Sequence, residues 1–194
     1  MKAARAVWFK TLARVTLKQL VFLDEFGATS TMTRLYARGP VGQRIVCHTP
    51  HGHWKVLSTI AAMDRQGILA AGTFDTAVDE DIFVGFVEQC LVPKLRRGQW
   101  VILDNLPAHK SPRVAELIEA AGAQVLYLPP YSPDFNPIER AISKIKTLLR
   151  KRGARSLNAL YFAIGEALDS ITDRNALAYI KKAGYAATSK CNTL

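Results

Sequence analysis

Two short apolar runs, each closed by an aspartate, constrain the fold of this chain most: residues 19–24 read QLVFLD and residues 99–104 read QWVILD. Short apolar runs bounded by polar residues are the pattern of strands buried on both faces. In a parallel sheet such strands reach their carboxyl ends on one edge, where the sites of open α/β sheets gather. The sequence therefore predicts two strands that end in acid, with Asp24 and Asp104 at that edge.

The surrounding pattern fills in an α/β domain. Residues 33–38 (TRLYAR) form a second strand candidate, closed by Gly39 and Pro40. Residues 54–62 and 68–74 flank Met63-Asp64-Arg65-Gln66-Gly67, a hairpin turn. The period then changes. Asp79 caps a helix with the apolar face Ile82, Phe83, Phe86, Val87, Cys90 and Leu91, ended by Pro93. Ser111 and Pro112 begin another, which carries the stripe Val114, Leu117, Ile118 and Ala121 and stops at Gly122. Residues 124–128 are a further strand, residues 129–133 (PPYSP) a stiff extended loop, and helices follow over about 136–152, 157–171 and 174–183. An antiparallel meander followed by alternating helices and strands predicts a mixed sheet, antiparallel then parallel, flanked by helices.

The 194 residues suit one domain, divided here into a basic lead-in segment at 1–19 and a main unit at 20–194. Lys and Arg number 26 against 16 Asp and Glu, a net charge of +10. A domain this basic meets a polyanion. The excess lies at the ends: residues 1–50 hold 8 basic and 2 acidic side chains, residues 151–194 hold 7 and 3. The lead-in could mimic a mitochondrial presequence, but it lacks serine and reads as an amphipathic helix. Cys47, Cys90 and Cys191 contain no C-x-x-C pair, which fits a reducing cytoplasm. Cys47, His48, His51 and His53 match no standard zinc spacing and read as a polar loop. No apolar run approaches the ~18 residues of a membrane span.

Three carboxylates stand out: Asp24, Asp104 and Glu139, the last in the first turn of the helix after Pro137. Neighbouring strands lie ~4.8 Å apart, so acids on adjacent strand ends can share a metal ion, and a glutamate from a nearby helix can complete the site. Turn, cap and macrodipole roles suit the same residues, and spacing alone leaves both readings open. On the helix, Ile138, Ile142, Ile145 and Leu149 form one apolar face, and Glu139 lies beside it, about in line with Ser143, Lys146 and Arg150. No acid occurs between Glu139 and Glu166, an interval holding seven cations, among them Lys144, Lys146, Arg150, Lys151 and Arg152. One acid leading a basic helix suits a metal ligand beside a phosphate-binding track.

LVFLDE at 20–25, VILDNLPAHK at 101–110 and LPPYSPDFNPIER at 128–140 resemble the three signature blocks of DDE transposases, and more narrowly those of the mariner-related bacterial insertion-sequence group. Between Asp104 and Glu139 lie 34 residues, the spacing of that group. The resemblance implies an RNase H-like fold, a catalytic and metal-binding triad of Asp24, Asp104 and Glu139, and two Mg²⁺ ions for which Mn²⁺ substitutes. It implies cleavage at the element's ends followed by attack of the released 3′-OH on target DNA, typically at TA, by a homodimer on DNA. Glu25, Asn105, His109 and Asn136 match motif positions close to the triad, as supporting residues. Members carry a helix-turn-helix region before the catalytic domain. The chain begins almost at the first catalytic strand, and so resembles the second reading frame of a two-frame element, with an upstream helix-turn-helix polypeptide as partner, or a truncated copy. A bacterial, nucleoid-associated cytoplasmic location follows. Two rival readings are an RNase H-like nuclease of other specificity and a non-catalytic DNA-binding product of a decayed element.

Overall fold

The computed structural model describes residues 2–12, 15–48, 50 and 54–185. His51, His53 and Cys191 lie outside them. Five strands, β1 (Leu20–Thr29), β2 (Val56–Asp64), β3 (Gly67–Phe74), β4 (Trp100–Leu103) and β5 (Gln124–Tyr127), form one mixed sheet in the order β3-β2-β1-β4-β5. β1, β2 and β3 pair antiparallel as the meander predicted, and β4 and β5 add parallel to β1. Six helices pack on the sheet: α1 (Lys2–Thr11), α2 (Glu80–Phe86), α3 (Pro112–Ala120), α4 (Ile138–Arg152), α5 (Leu157–Asp169) and α6 (Asp173–Lys182).

Alternation along β1 divides the core in two. Leu20, Phe22, Phe26 and Ala28 face a cluster built with α1, α4, α5 and α6. Val21 and Leu23 face the smaller cluster of Phe83, Phe86, Val114 and Ile118 from α2 and α3. The lead-in helix belongs to the first cluster through Trp8 and Leu12, both buried.

Three expectations are corrected. Residues 33–38 form no strand; Arg34, Leu35 and Tyr36 are exposed in the β1–β2 connection, because β2 itself occupies the edge of β1 from Phe22 to Thr29. Asp24 does not end its strand: β1 runs on to Thr29, held by β2, and only its pairing with β4 stops short of Asp24. The helix capped by Asp79 does not run evenly to Pro93, but widens into a π-type turn over Val87–Leu91 and then tightens over Val92–Lys94.

The β2–β3 hairpin turns at Gly67, where φ is +130° and a Cβ would stand 2.6 Å from the Ile171 carbonyl oxygen. A side chain there would push the hairpin off the α5–α6 corner. At the other end of the same helical layer Gly153 closes α4 in the left-handed region, its N–H bonded to the Leu149 carbonyl. α6 opens with the reciprocal cap of Thr172 and Asn175.

Candidate active site

Register brings the two aspartates together. Val21 pairs with Val101 and Phe22 with Ile102, so two steps on Asp24 and Asp104 stand at the same level on neighbouring strands. β4 ends at Leu103, which frees Asp104 onto the following loop. Asp24 shares the sheet face of Phe22 and Phe26, the face that α4 covers. α4 presents Glu139 in its first turn, and one pocket of about 340 Å³ is lined by Asp24, Asp104, Asn136 and Glu139 together.

Each acid is held differently. Asp24 is 9% exposed; its Oδ1 accepts from the Glu25 N–H at 2.8 Å and its Oδ2 from the Asn136 amide at 2.9 Å. Burial, and after it the charges of Glu139 and Asp104, push its carboxyl up to about 7, against the Glu25 N–H, which pulls it down. Asp104 Oδ1 accepts from the Leu106 N–H at 3.0 Å and lies 2.5 Å from His109 Nδ1. Although partial burial works against ionisation, those bonds hold Asp104 below its ordinary value.

His109 is a strut between two acids. Its ring is fully buried, with Nδ1 toward Asp104 and Nε2 2.9 Å from Glu25 Oε1. Burial pulls its pKa down, but the two carboxylates outweigh burial and raise it to about 9, which makes it an imidazolium at neutral pH. Because Glu25 points to the opposite sheet face from Asp24, His109 ties the far side of β1 to the loop that carries Asp104.

The remaining motif residues fix loops. Asn105 donates from Nδ2 to the Leu128 carbonyl, joining the ends of β4 and β5. Asn136 is 3% exposed, and its Oδ1 is buried with no hydrogen-bond partner among the described residues. Leaving such an acceptor bare costs about 1–3 kcal/mol, so the pocket carries an oxygen built for a donor or cation outside the protein.

Sequence reasoning missed the residues that hold this frame. The Phe83 ring lies 4.3 Å from that of His109, and the Tyr127 hydroxyl donates to the His109 carbonyl at 2.9 Å. Arg5 of the lead-in helix grips Asp134 at 2.6 and 2.9 Å and Ser132 at 3.0 Å, with its guanidinium 4.1 Å from the Phe135 ring. The Tyr185 hydroxyl donates to the Phe135 carbonyl at 2.7 Å. The loop that delivers Asn136 and Glu139 is thus clamped by the two ends of the described chain, and no local pattern marks contacts across 50 to 129 residues. Tyr131, 87% exposed at the mouth of the pocket, holds φ at 56°, a conformation that costs a non-glycine residue about 1–3 kcal/mol.

The basic residues of α4 divide. Lys144 turns inward, donating to the Ser170 carbonyl and Asn175 Oδ1, both at 2.7 Å. Arg152 lies 3.6 Å from Glu166. Arg150 and Lys151 line an open groove with Arg34.

A family model described as DDE superfamily endonuclease matches residues 19–161. The chain belongs to the DDE superfamily of endonucleases. Asp24, Asp104 and Glu139 all fall inside the matched span of this DDE chain. Its fold is that of the Mos1 transposase paired-end complex with the left transposon end, with a TM-score of 0.78 at 18% identity over 97% of this chain and 61% of that one. The catalytic domain of Mos1 transposase with raltegravir and Mg aligns at 0.70 and 16% over 99% and 94%. The catalytic domain of Mos1 mariner transposase aligns at 0.69 and 17% over 94% and 85%. The DDE chain spans about three-fifths of the longer of these proteins, 61% of its length. The expected RNase H-like architecture of a mixed sheet flanked by helices is borne out at this level. No curated protein matches the chain significantly. Among the described residues no helix is long and apolar enough to cross a membrane.

The donor set suits a hard divalent cation: three carboxylates, all oxygen ligands, with the Asn136 amide oxygen beside them. As they stand, with Asp24 turned to Asn136 and Asp104 to His109, no group of three His, Cys, Asp or Glu among the described residues is gathered closely enough to hold an ion.

Proposed function

We propose that this DDE endonuclease is a transposase catalytic unit that cuts DNA at the ends of an element and joins the released 3′-OH to target DNA. One observation carries the reading: Asp24, Asp104 and Glu139, from two strands and a helix, line a single pocket within the family-matched span. Mg²⁺ or Mn²⁺ held by Asp24, Asp104 and Glu139 would polarise the scissile phosphate and activate the attacking oxygen. Structures of the Mos1 catalytic domain with Mg and with Mn support that choice.

The chain's own groups do the positioning. Asn136 orients Asp24 by donating to Oδ2, and its buried Oδ1 is set to accept from a water at the site. His109, pressed between Asp104 and Glu25, keeps Asp104 ionised and limits its rotation. Asn105 keeps the loop below them closed. The low exposure of Asp24 keeps its carboxylate largely out of bulk water. Lys146, Arg150, Lys151 and Arg152 on α4 offer cations to the DNA backbone, while Lys144 holds α6.

The proposed catalytic unit is residues 20–194, with residues 1–19 as a lead-in whose Trp8 and Leu12 join its core. A second copy on DNA, a helix-turn-helix partner encoded upstream, a TA target, an insertion-sequence origin and a nucleoid-associated bacterial location complete the proposal. The test is cleavage and strand transfer on end-containing DNA with Mg²⁺, comparing wild type with Asp104→Asn. Joined products with wild type alone support the reading, and equal activity in both sinks it.

A further inference from the structure

Three grooves along α4 share walls, and they lead away from the acids in one direction. The pocket of Asp24, Asp104 and Glu139 adjoins a groove of about 570 Å³ through their common residue Glu139. That groove holds Arg140, Ser143, Thr147 and, from α6, Lys182. It meets the next, about 480 Å³, at Thr147, where Arg150, Lys151 and, from the β1–β2 connection, Arg34 and Tyr36 form the walls. At ~100° per residue Glu139, Ser143 and Arg150 fall within about 40° of one another around the helix. The grooves therefore follow one stripe, and among the described residues Glu139 is the only acid lining the second and third of them.

The far end is built into the fold. Arg155, just past α4, donates from Nη1 to the carbonyls of Ser30 at 2.9 Å and Met32 at 3.0 Å. Those bonds pin the chain as it leaves β1, and so set Arg34 beside Arg150 and Lys151. α6, which carries Lys182, is likewise held, because Lys144 ties its start to α4.

We infer that these joined grooves form a one-sided track for the DNA backbone, with Lys182 and Arg140 near the cut and Arg34, Arg150 and Lys151 at its far end. The inference rests on the proposed DNA cleavage and names what that reading does not: which flank is held, how far, and by which residues off α4. Charge complementarity commits the occupant to DNA, since the second and third grooves present cations and the chain carries +10 overall. Eleven helical steps take the chain from Glu139 to Arg150, a rise of ~16 Å. Duplex DNA rises 3.4 Å per base pair, so the far contacts meet phosphates ~5 base pairs from the cut, and Lys182, opposite Ser143 and Thr147, ~2–4 base pairs from it.

The test is binding of the full chain, in Ca²⁺, to duplexes trimmed base pair by base pair on either side of the scissile phosphate. Wild type should gain affinity in two steps as one flank grows, and Arg34→Ala should lose only the outer step. Lys182→Ala should lose the inner step, and each variant should lower the slope of log K against log salt by ~0.9. Arg34→Lys should restore the outer step. Identical length profiles and salt slopes in wild type and Arg34→Ala overturn the track. So does an Arg34→Ala effect confined to self-association in sedimentation, which would assign the groove to a second copy. A two-step profile without Mg²⁺- or Mn²⁺-dependent cleavage supports the track while sinking the proposed reaction.

Discussion

The side-chain amide of Asn136 donates to Asp24 Oδ2 at 2.9 Å, across 112 residues of chain. The bond orients the most buried acid of the pocket and leaves Asn136 Oδ1 as a bare acceptor beside it. Outer partners of metal-binding carboxylates typically contribute 10–100-fold in affinity. Asn136→Ala is expected to raise the Mn²⁺ concentration at half-saturation by about that factor, read by direct Mn²⁺ binding and by the metal dependence of cleavage. An unchanged metal titration would remove Asn136 from the site.

Asp24→Asn separates function from stability. Loss of one carboxylate of the proposed metal site should remove most of the cleavage. Yet ionising Asp24 is unfavourable in the fold, since its pKa stands near 7 because of burial. At pH 8 the variant should melt at or above the wild-type temperature in metal-free buffer. A clear drop in Tm would contradict the raised pKa.

Two groups make the metal-free protein lose stability as pH rises. His109 binds its proton in the fold up to about 9 against 6.5 when unfolded, so its stabilisation is complete below 6.5 and is lost between 6.5 and 9. Asp24 keeps its proton to about 7 against 3.8, so folded protein holds one proton more across that lower window and stability falls there as well. Denaturant midpoints should therefore decline from pH 6.5 to 9, and His109→Gln should flatten that decline. A wild-type midpoint that rises across the same range would refute the assignment.

Lys144 and Lys146 should behave oppositely. Lys144→Met removes the donor to Ser170 and Asn175 and is expected to cost about 1–3 kcal/mol of stability. Its DNA affinity, measured on folded protein, should stay near wild type. Lys146→Ala should leave Tm unchanged and lower the salt slope of DNA binding by about 1. Anisotropy titrations at several ionic strengths decide between them.

Arg5→Ala tests the clamp on the catalytic loop. The pair with Asp134 is exposed, so its removal should barely move Tm. Cleavage should fall severalfold, because Ser132, Asp134 and Phe135 lose the group that holds them ahead of Asn136 and Glu139. Full activity would show that the loop keeps its place without the lead-in helix.

The sequence by itself determined the strands through QLVFLD and QWVILD, the hairpin at 63–67, the apolar stripe of α4 and the three acids, because each is written in a local period or spacing. It also carried the family through three contiguous blocks. It could not determine that β1 runs past Asp24, since that length depends on β2 pairing with it, nor that residues 33–38 stay out of the sheet, since propensity yields to the partner already in place. Only the tertiary structure decided that Glu25 and Asp24, adjacent in sequence, serve opposite faces, with His109 on one and Asn136 on the other. Only it turned Lys144 inward while Lys146 stayed on the stripe with Glu139. These choices rest on contacts between residues far apart in the chain, and such contacts leave no periodic signal in the segments that make them.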